Sequence, residues 1–219
     1  MENPTARIVK RYLDADPILR EYLAEGLINC SALVRKLLPK ARRENPKASP
    51  ESILIAIQRS IPKRPIARAK LITSILSTTE VSLTGDIIEI VFDRTEKNEG
   101  LLLERMKRRK GTGICILTET RQEIALFISR HFLPLFKDVI SKVIIEDDLA
   151  VLGLHETTIS RSKSSQYIPG YLAHLCLLFA QNDISIIELV SCHSHILIFM
   201  KENNASKAYG VLKEHIREI

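Results

Sequence analysis

Apolar positions recur at helical spacing through the first sixty residues and then give way to shorter, denser runs, so the pattern divides the chain in two. Ile8, Val9, Tyr12 and Leu13 share one face of a first helix. Ile18, Leu19, Tyr22 and Leu23 share a face of a second, which begins after Asp16-Pro17 and closes at Gly26. Asn29 or Ser31 can cap a third helix that turns Leu33, Val34, Leu37 and Leu38 inward and Arg35, Lys36 and Lys40 outward, ending near Pro39. A basic connection spans 40–47. Ser49-Pro50-Glu51-Ser52 then places a capping Ser before a Pro at the first helical position, predicting a fourth helix over Pro50–Ser60 with Ile53, Leu54, Ala56 and Ile57 inward. Pro62 and Pro65 mark a boundary.

From residue 66 onward strands join the helices. A helix over 66–77 leads to a β-hairpin, 81–84 and 87–92, turning at Gly85-Asp86. A helix through Leu101, Leu102, Leu103 and Met106 follows, then a strand at 114–117 and a helix centred on 124–132, the order α, β, β, α, β, α. A strand at 139–146 pairs with 149–154 across Asp147-Asp148. The last seventy residues read as the strand 149–154, a polar loop 155–166, and a helix opened by Pro169-Gly170 that stops at Asn182-Asp183. A strand 184–190, a turn 192–194, a strand 195–200 and a helix 204–216 complete the chain.

That final stretch resembles the ACT domain, the ferredoxin-like βαββαβ module attached to aspartokinases and other enzymes of amino-acid metabolism. Two segments carry the resemblance: Ile168-Pro169-Gly170-Tyr171-Leu172-Ala173-His174-Leu175 opening a helix, and Phe179-Ala180-Gln181-Asn182-Asp183-Ile184-Ser185-Ile186 joining it to a strand. Asn182-Asp183 stands where the family has Gly, and both residues tolerate the left-handed backbone that a helix C-terminus needs. The sequence ends soon after the last helix, so the place of the module's final strand must be filled from elsewhere or stay open. Residues 66–140 repeat the mixed order without a Pro-Gly pair and read as a second, degenerate unit. The resemblance implies an amino acid or similar effector near Gln166, Tyr167, Ile168, Gly170, Tyr171, Leu172, Ser185 and Ile186, often where two domains meet. Apart from the family, a Gly at a helix start admits close approach, and the open N–H groups of a first turn can receive a carboxylate. A tight turn between packed elements is the plain alternative.

Charge changes the picture for the first third only. Residues 1–70 hold 15 Lys/Arg against 7 Asp/Glu, a net of +8, while 71–140 balance at 10 against 10 and 141–219 hold 7 against 9. An anionic partner for that third follows, nucleic acid before membrane. In a helix-turn-helix reading Pro50–Ser60 is the reader, with Gln58 and Arg59 toward bases, Arg42, Arg43, Lys47, Lys63 and Arg64 toward phosphates, and the 80–93 hairpin as a wing. A helical packing domain with a basic surface stands beside it. Lys107-Arg108-Arg109-Lys110 suits a helix end. Gly111-Thr112-Gly113 lacks the spacing of a phosphate loop.

Cys30, Cys115, Cys176 and Cys192 form no CxxC pair and read as reduced, structural thiols. Cys192-His193-Ser194-His195 reads as a β-turn before a metal site, and His131, His155, His174 and His215 are scattered. No bilayer-length apolar run or signal core is visible, so a cytoplasmic protein is expected. The expectation is an α+β chain: a basic helical domain (1–65), a degenerate ACT-like unit (66–140) and an ACT domain (141–219). It is read as a non-enzymatic, homodimeric regulator with no cofactor. The alternative is an interaction module that uses ACT units for dimerisation without a ligand.

Overall fold

The computed structural model describes residues 4–61, 66–136, 144–157 and 165–218. The chain divides into two compact units, Met1–Lys70 and Leu71–Ile219.

The first unit holds α1 (Pro4–Asp14), α2 (Pro17–Ala24), α3 (Cys30–Glu44) and α4 (Pro50–Ser60). Their inward residues, among them Val9, Leu13, Leu23, Leu37, Ile53 and Ile57, form one apolar cluster. Both predicted caps are in place. Asn29 accepts from the Ala32 N–H at 3.1 Å, and Ser49 and Ser52 bond each other's backbone N–H in a reciprocal box. The expected stop at Pro39 is wrong, because α3 runs on to Glu44 with Pro39 inside it. Pro39 removes one helical hydrogen bond, but the next turn buries Ala41 to 1% exposure, and that packing outweighs the loss.

The second unit opens with α5 (Ile66–Leu76), whose first residues belong to the first unit, and is built on β1 (Thr79–Asp93). Then come α6 (Glu96–Arg108), β2 (Cys115–Glu119), β3 (Glu123–Ser129), a 3-10 turn (Arg130–Leu135) and β4 (Ile144–Glu156). A short 3-10 turn (Ser165–Tyr167), α7 (Tyr171–Ala180), β5 (Glu188–Cys192), β6 (His195–Lys201) and α8 (Glu202–Glu218) complete it. The six strands form one antiparallel sheet in the order β2-β3-β1-β4-β6-β5.

Several sequence expectations are corrected here. The Gly85-Asp86 hairpin is one continuous strand, because both halves of β1 pair with β4 rather than with each other. Asp86 takes a left-handed φ of 57°, and the register slips between Thr84 and Ile87, so the dipeptide forms a bulge. No strand reversal occurs at Asp147-Asp148 either, since β4 continues through it with a second register slip, between Ile87 and Glu89 of β1; residues 139–143 lie outside the described residues. The helix expected at 124–132 is β3, where Ile124, Leu126 and Ile128 pack on one face and Phe127 on the other. An apolar run buried on both faces carries no helix-or-strand period, which is why spacing misled. The first mixed stretch therefore runs α, β, α, β, β. The strand expected over 184–190 starts at Glu188, though the Ile187 N–H already donates to Phe199 O at 2.8 Å.

One sheet face is covered by helices. Ile72, Leu76, Leu175, Phe179 and Leu212 pack against Leu152, Leu154, Ile196 and Ile198 in one cluster, and Leu102, Phe132 and Phe136 pack against Ile88, Ile90 and Leu126 in another. On the opposite face Phe127 of β3 meets Phe199 of β6 with ring centroids 4.2 Å apart. β1 and β4 lie between those strands, so in a flat sheet the rings would stand about 14 Å apart at the usual strand spacing. The sheet is therefore curled around Ile87, Leu149 and Val151.

Phe127→Ala and Phe199→Ala should each cost about 3–5 kcal/mol in denaturant unfolding. Because the rings touch, the double variant should lose less than the two losses combined, by about 0.5–1.5 kcal/mol. Strict additivity would mean that the curl does not bring the rings together.

Candidate functional site

Six polar side chains are buried among the described residues, and four of them, Thr79, Glu156, Ser165 and Ser194, gather at one end of the sheet. Thr79 opens β1 and lies opposite Glu156, the last residue of β4. Thr79, Glu156, Ser165 and Ser194 are all under 10% exposed, and Tyr171 is 1% exposed. The backbone ties them together: the Glu156 N–H donates to Ser194 O at 2.9 Å, and the Ser165 N–H donates to both Glu156 carboxylate oxygens at 3.1 and 3.2 Å. Thr79 Oγ1 donates to Ile75 O at 2.8 Å, closing the end of α5. Among the described residues, the Ser165 N–H supplies the hydrogen bonds to the buried Glu156 carboxylate.

Above this ring sits the turn that starts α7. Gly170 is its N-cap with φ 90°, a left-handed geometry that strains any residue with a Cβ, and it has no side chain to cap the helix. The expected Pro169-Gly170 opening lies just before the helix, with Pro169 in the turn, Gly170 as N-cap and the helix beginning at Tyr171. The Leu172 and Ala173 N–H groups find no internal acceptor among the described residues. Such a turn presents two donors at the positive end of a helix.

The residues put forward for a ligand divide sharply. Gln166, Tyr167, Gly170, Leu172 and Ser185 are exposed, while Ile168 and Ile186 are half-buried against the same apolar cluster. Tyr171 has to be taken off the contact surface, because its ring is core. Its hydroxyl lies beside Thr79 and Glu156 without a hydrogen bond among the described residues. Burial pushes its pKa up to about 12, the Glu156 carboxylate adds to the rise, and the Thr79 hydroxyl acts against it. Glu156, Ser165, Ser194 and Thr79 were missed by sequence reasoning. Only strand pairing brings residues from 79 to 194 together, and no local spacing marks them.

Among the cations of the first unit, Arg43 and Lys47 are exposed, and the Arg42 Nε donates to Ala48 O at 3.3 Å. Gln58 is exposed, Arg59 lines a cleft, and Lys63 and Arg64 lie outside the described residues. In the basic run of the second unit, Arg108 pairs with Glu104 and Arg109 lies over the Phe132 ring at 5.6 Å. Two histidine pairs replace the expected scatter: His155 and His195 stack at 4.2 Å on neighbouring strands, and the Nε2 atoms of His174 and His215 stand 2.8 Å apart. Among the described residues no three potential ligands converge on a point that could hold a metal. Cys192, expected to be a structural thiol, is exposed. No described helix is long and apolar enough to cross a membrane.

No family model matches the chain, and no curated protein matches it. Solved structures do. Aspartate kinase from Clostridium acetobutylicum matches at TM-score 0.50 and 9% identity over 60% of this chain, which spans only 33% of that enzyme. The regulatory subunit of aspartate kinase from Thermus thermophilus matches at TM-score 0.49 and 13% identity, covering 61% of this chain and 95% of that one. E. coli aspartokinase III, solved with lysine and aspartate, matches at TM-score 0.47 and 10% identity, over 62% and 32%. The chain thus carries an ACT-type fold, as the Pro169-Gly170 segment implied.

Tyr171 supplies a sharp test. Its phenol is held neutral in the folded state, so its contribution to stability is intact below the ordinary pKa of 10.0 and is lost as pH rises from there through about 12. Tyr171→Phe should remove that alkaline loss. It should leave stability at neutral pH unchanged or slightly higher, because the deleted hydroxyl is buried without a partner. Urea unfolding of both proteins across that pH range measures it.

Proposed function

We propose that this chain is a non-enzymatic, ACT-type regulator whose effector, an amino acid or a closely related metabolite, binds at the turn leading into α7. The observation that carries the reading is Gly170: left-handed, without a capping side chain, and set before two open N–H groups. An effector carboxylate would take those donors. Gln166, Tyr167, Leu172 and Ser185 are the exposed side chains that would choose among effectors.

The sheet supports this as two interleaved ferredoxin-like halves. The second half of β1, then α6, β2 and β3, is completed by Ile144–Leu149 of β4, which pairs beside Ile87–Val91. The rest of β4, with α7, β5, β6 and α8, is completed by Thr79–Thr84 of β1. Thr79–Thr84 thus stands in the place of that half's final strand. For residues 1–70 the +8 balance supports an anionic partner, and nucleic acid remains a second reading resting on charge alone.

Thermal-shift screening against the twenty amino acids tests the effector. A ligand at 100 times its Kd should stabilise the fold by about 2.7 kcal/mol. Gly170→Ala, read against its own unliganded baseline, should lose that response, and a wild type that responds to none of them would defeat the reading.

β2 and β5 end the sheet with no further strand among the described residues, so their backbone groups are open to pairing. We expect a homodimer formed through this unit. Light scattering at micromolar concentration should give twice the mass of the 24.8 kDa chain, and a monomer would exclude it.

A further inference from the structure

The first unit holds a cleft of about 820 Å³ between α1, α2 and α4. Its long walls are two helical faces. Ala6, Lys10 and Leu13 stand at i, i+4 and i+7 on α1, and Ser52, Ala56 and Arg59 repeat that spacing on α4. Each stripe is about 10 Å long at the helical rise. Small side chains, Ala6, Ser52 and Ala56, leave room between the walls. Leu13 gives the cleft a buried apolar floor at 2% exposure, whereas Ile55, also on α4, is left 48% exposed. An exposed Ile beside such a floor is apolar surface available to an occupant.

The charges around this apolar strip come from three helices. Lys10, Arg20 and Arg59 line the cleft against one carboxylate, Asp14. Asp14 is committed to Arg20 at 2.8 Å, and Lys10 and Arg59 make no ion pair among the described residues. Like charges brought from separate helices to one cleft repel, and an anion between them relieves that. Inorganic phosphate would satisfy the cations and leave Ile55 wet. A zwitterionic amino acid would bring an ammonium to a cationic rim. The cleft volume falls within the range of small-molecule sites.

We propose that this cleft binds a small amphipathic anion, an apolar chain or ring bearing one carboxylate or phosphate. Its apolar part lies along Leu13 and Ile55, and its charge sits between Lys10 and Arg59. The site is independent of the effector turn at Gly170.

The full chain is titrated with the fluorescent anion 8-anilinonaphthalene-1-sulfonate, and bound dye is displaced with decanoate, decyl phosphate or inorganic phosphate. Lys10→Ala/Arg59→Ala should weaken dye binding about tenfold through the loss of two charge-assisted contacts. Ile55→Asn should weaken it severalfold. All three positions are exposed, so the variants should keep the wild-type circular dichroism and melting temperature. Displacement by decanoate, decyl phosphate or both supports the site, and their ranking identifies the preferred head group. Unchanged dye affinity in both variants overturns the proposal, as does inorganic phosphate competing as well as decyl phosphate.

Discussion

The pairing of β1 with β4 is the constraint on which the sheet unit depends. Each strand is long enough to serve two neighbourhoods: β1 reaches β3 with its second half, and β4 reaches β6 with its own. Their shared ladder crosses the bulge at Gly85-Asp86, where the extra residue turns the strand and reverses which alternate positions face the helices. Val81 therefore packs with the α7 cluster, while Ile88, Ile90 and Phe92 pack with the α6 cluster. Gly85 also admits Glu202, because a Cβ there would stand 2.5 Å from Glu202 Oε1. Without the bulge, one continuous alternation could not supply both clusters from the same face.

The same ladder makes the polar end of the sheet. Thr79 and Glu156 are its terminal pair, so the first residue of β1 and the last of β4 meet under the turn before α7. Hydrogen bonds to the Glu156 carboxylate from Ser165 hold the returning chain, and Tyr171 seals the ring from above. Gly170 takes its left-handed backbone just where that chain must turn from the buried ring into a helix. A helix start that is already formed and lacks a side-chain cap would need little reorganisation to receive a carboxylate.

Helices with caps and one apolar stripe were legible. Asn29 and Ser49 marked their helices, and Pro169-Gly170 with Asn182-Asp183 marked the limits of α7, where Asp183 takes the left-handed φ of 55°. The failures share a cause. Gly85-Asp86 and Asp147-Asp148 have the composition of turns, but a turn is chosen only if its flanking segments pair with each other, and here both flanks pair elsewhere. Glu123–Ser129 failed because burial on both faces erases the period. The candidate site was half legible: Gly170 and its exposed neighbours are local in sequence, whereas Thr79, Glu156 and Ser194 belong to it only through strand pairing.

Charge is used differently in the two units, and this shapes what each can receive. On the sheet, cations answer carboxylates that cross-strand pairing brings close: Lys201 meets Glu146 and Asp148, and Arg130 meets Asp86 and Asp147. Exposed pairs of this kind add little stability singly. Here they offset crowding, for Glu89 is held above the usual carboxylate range by burial first and then by Glu146 and Glu188, with Lys201 opposing the rise. At the start of α7 the sheet unit offers backbone N–H groups with no acceptor among the described residues. The four-helix unit has the reverse balance, and at its cleft Lys10 and Arg59 hold charge in reserve beside an apolar floor. On the readings proposed above, geometry would select a ligand in the sheet unit, and charge with apolar area would select one in the other.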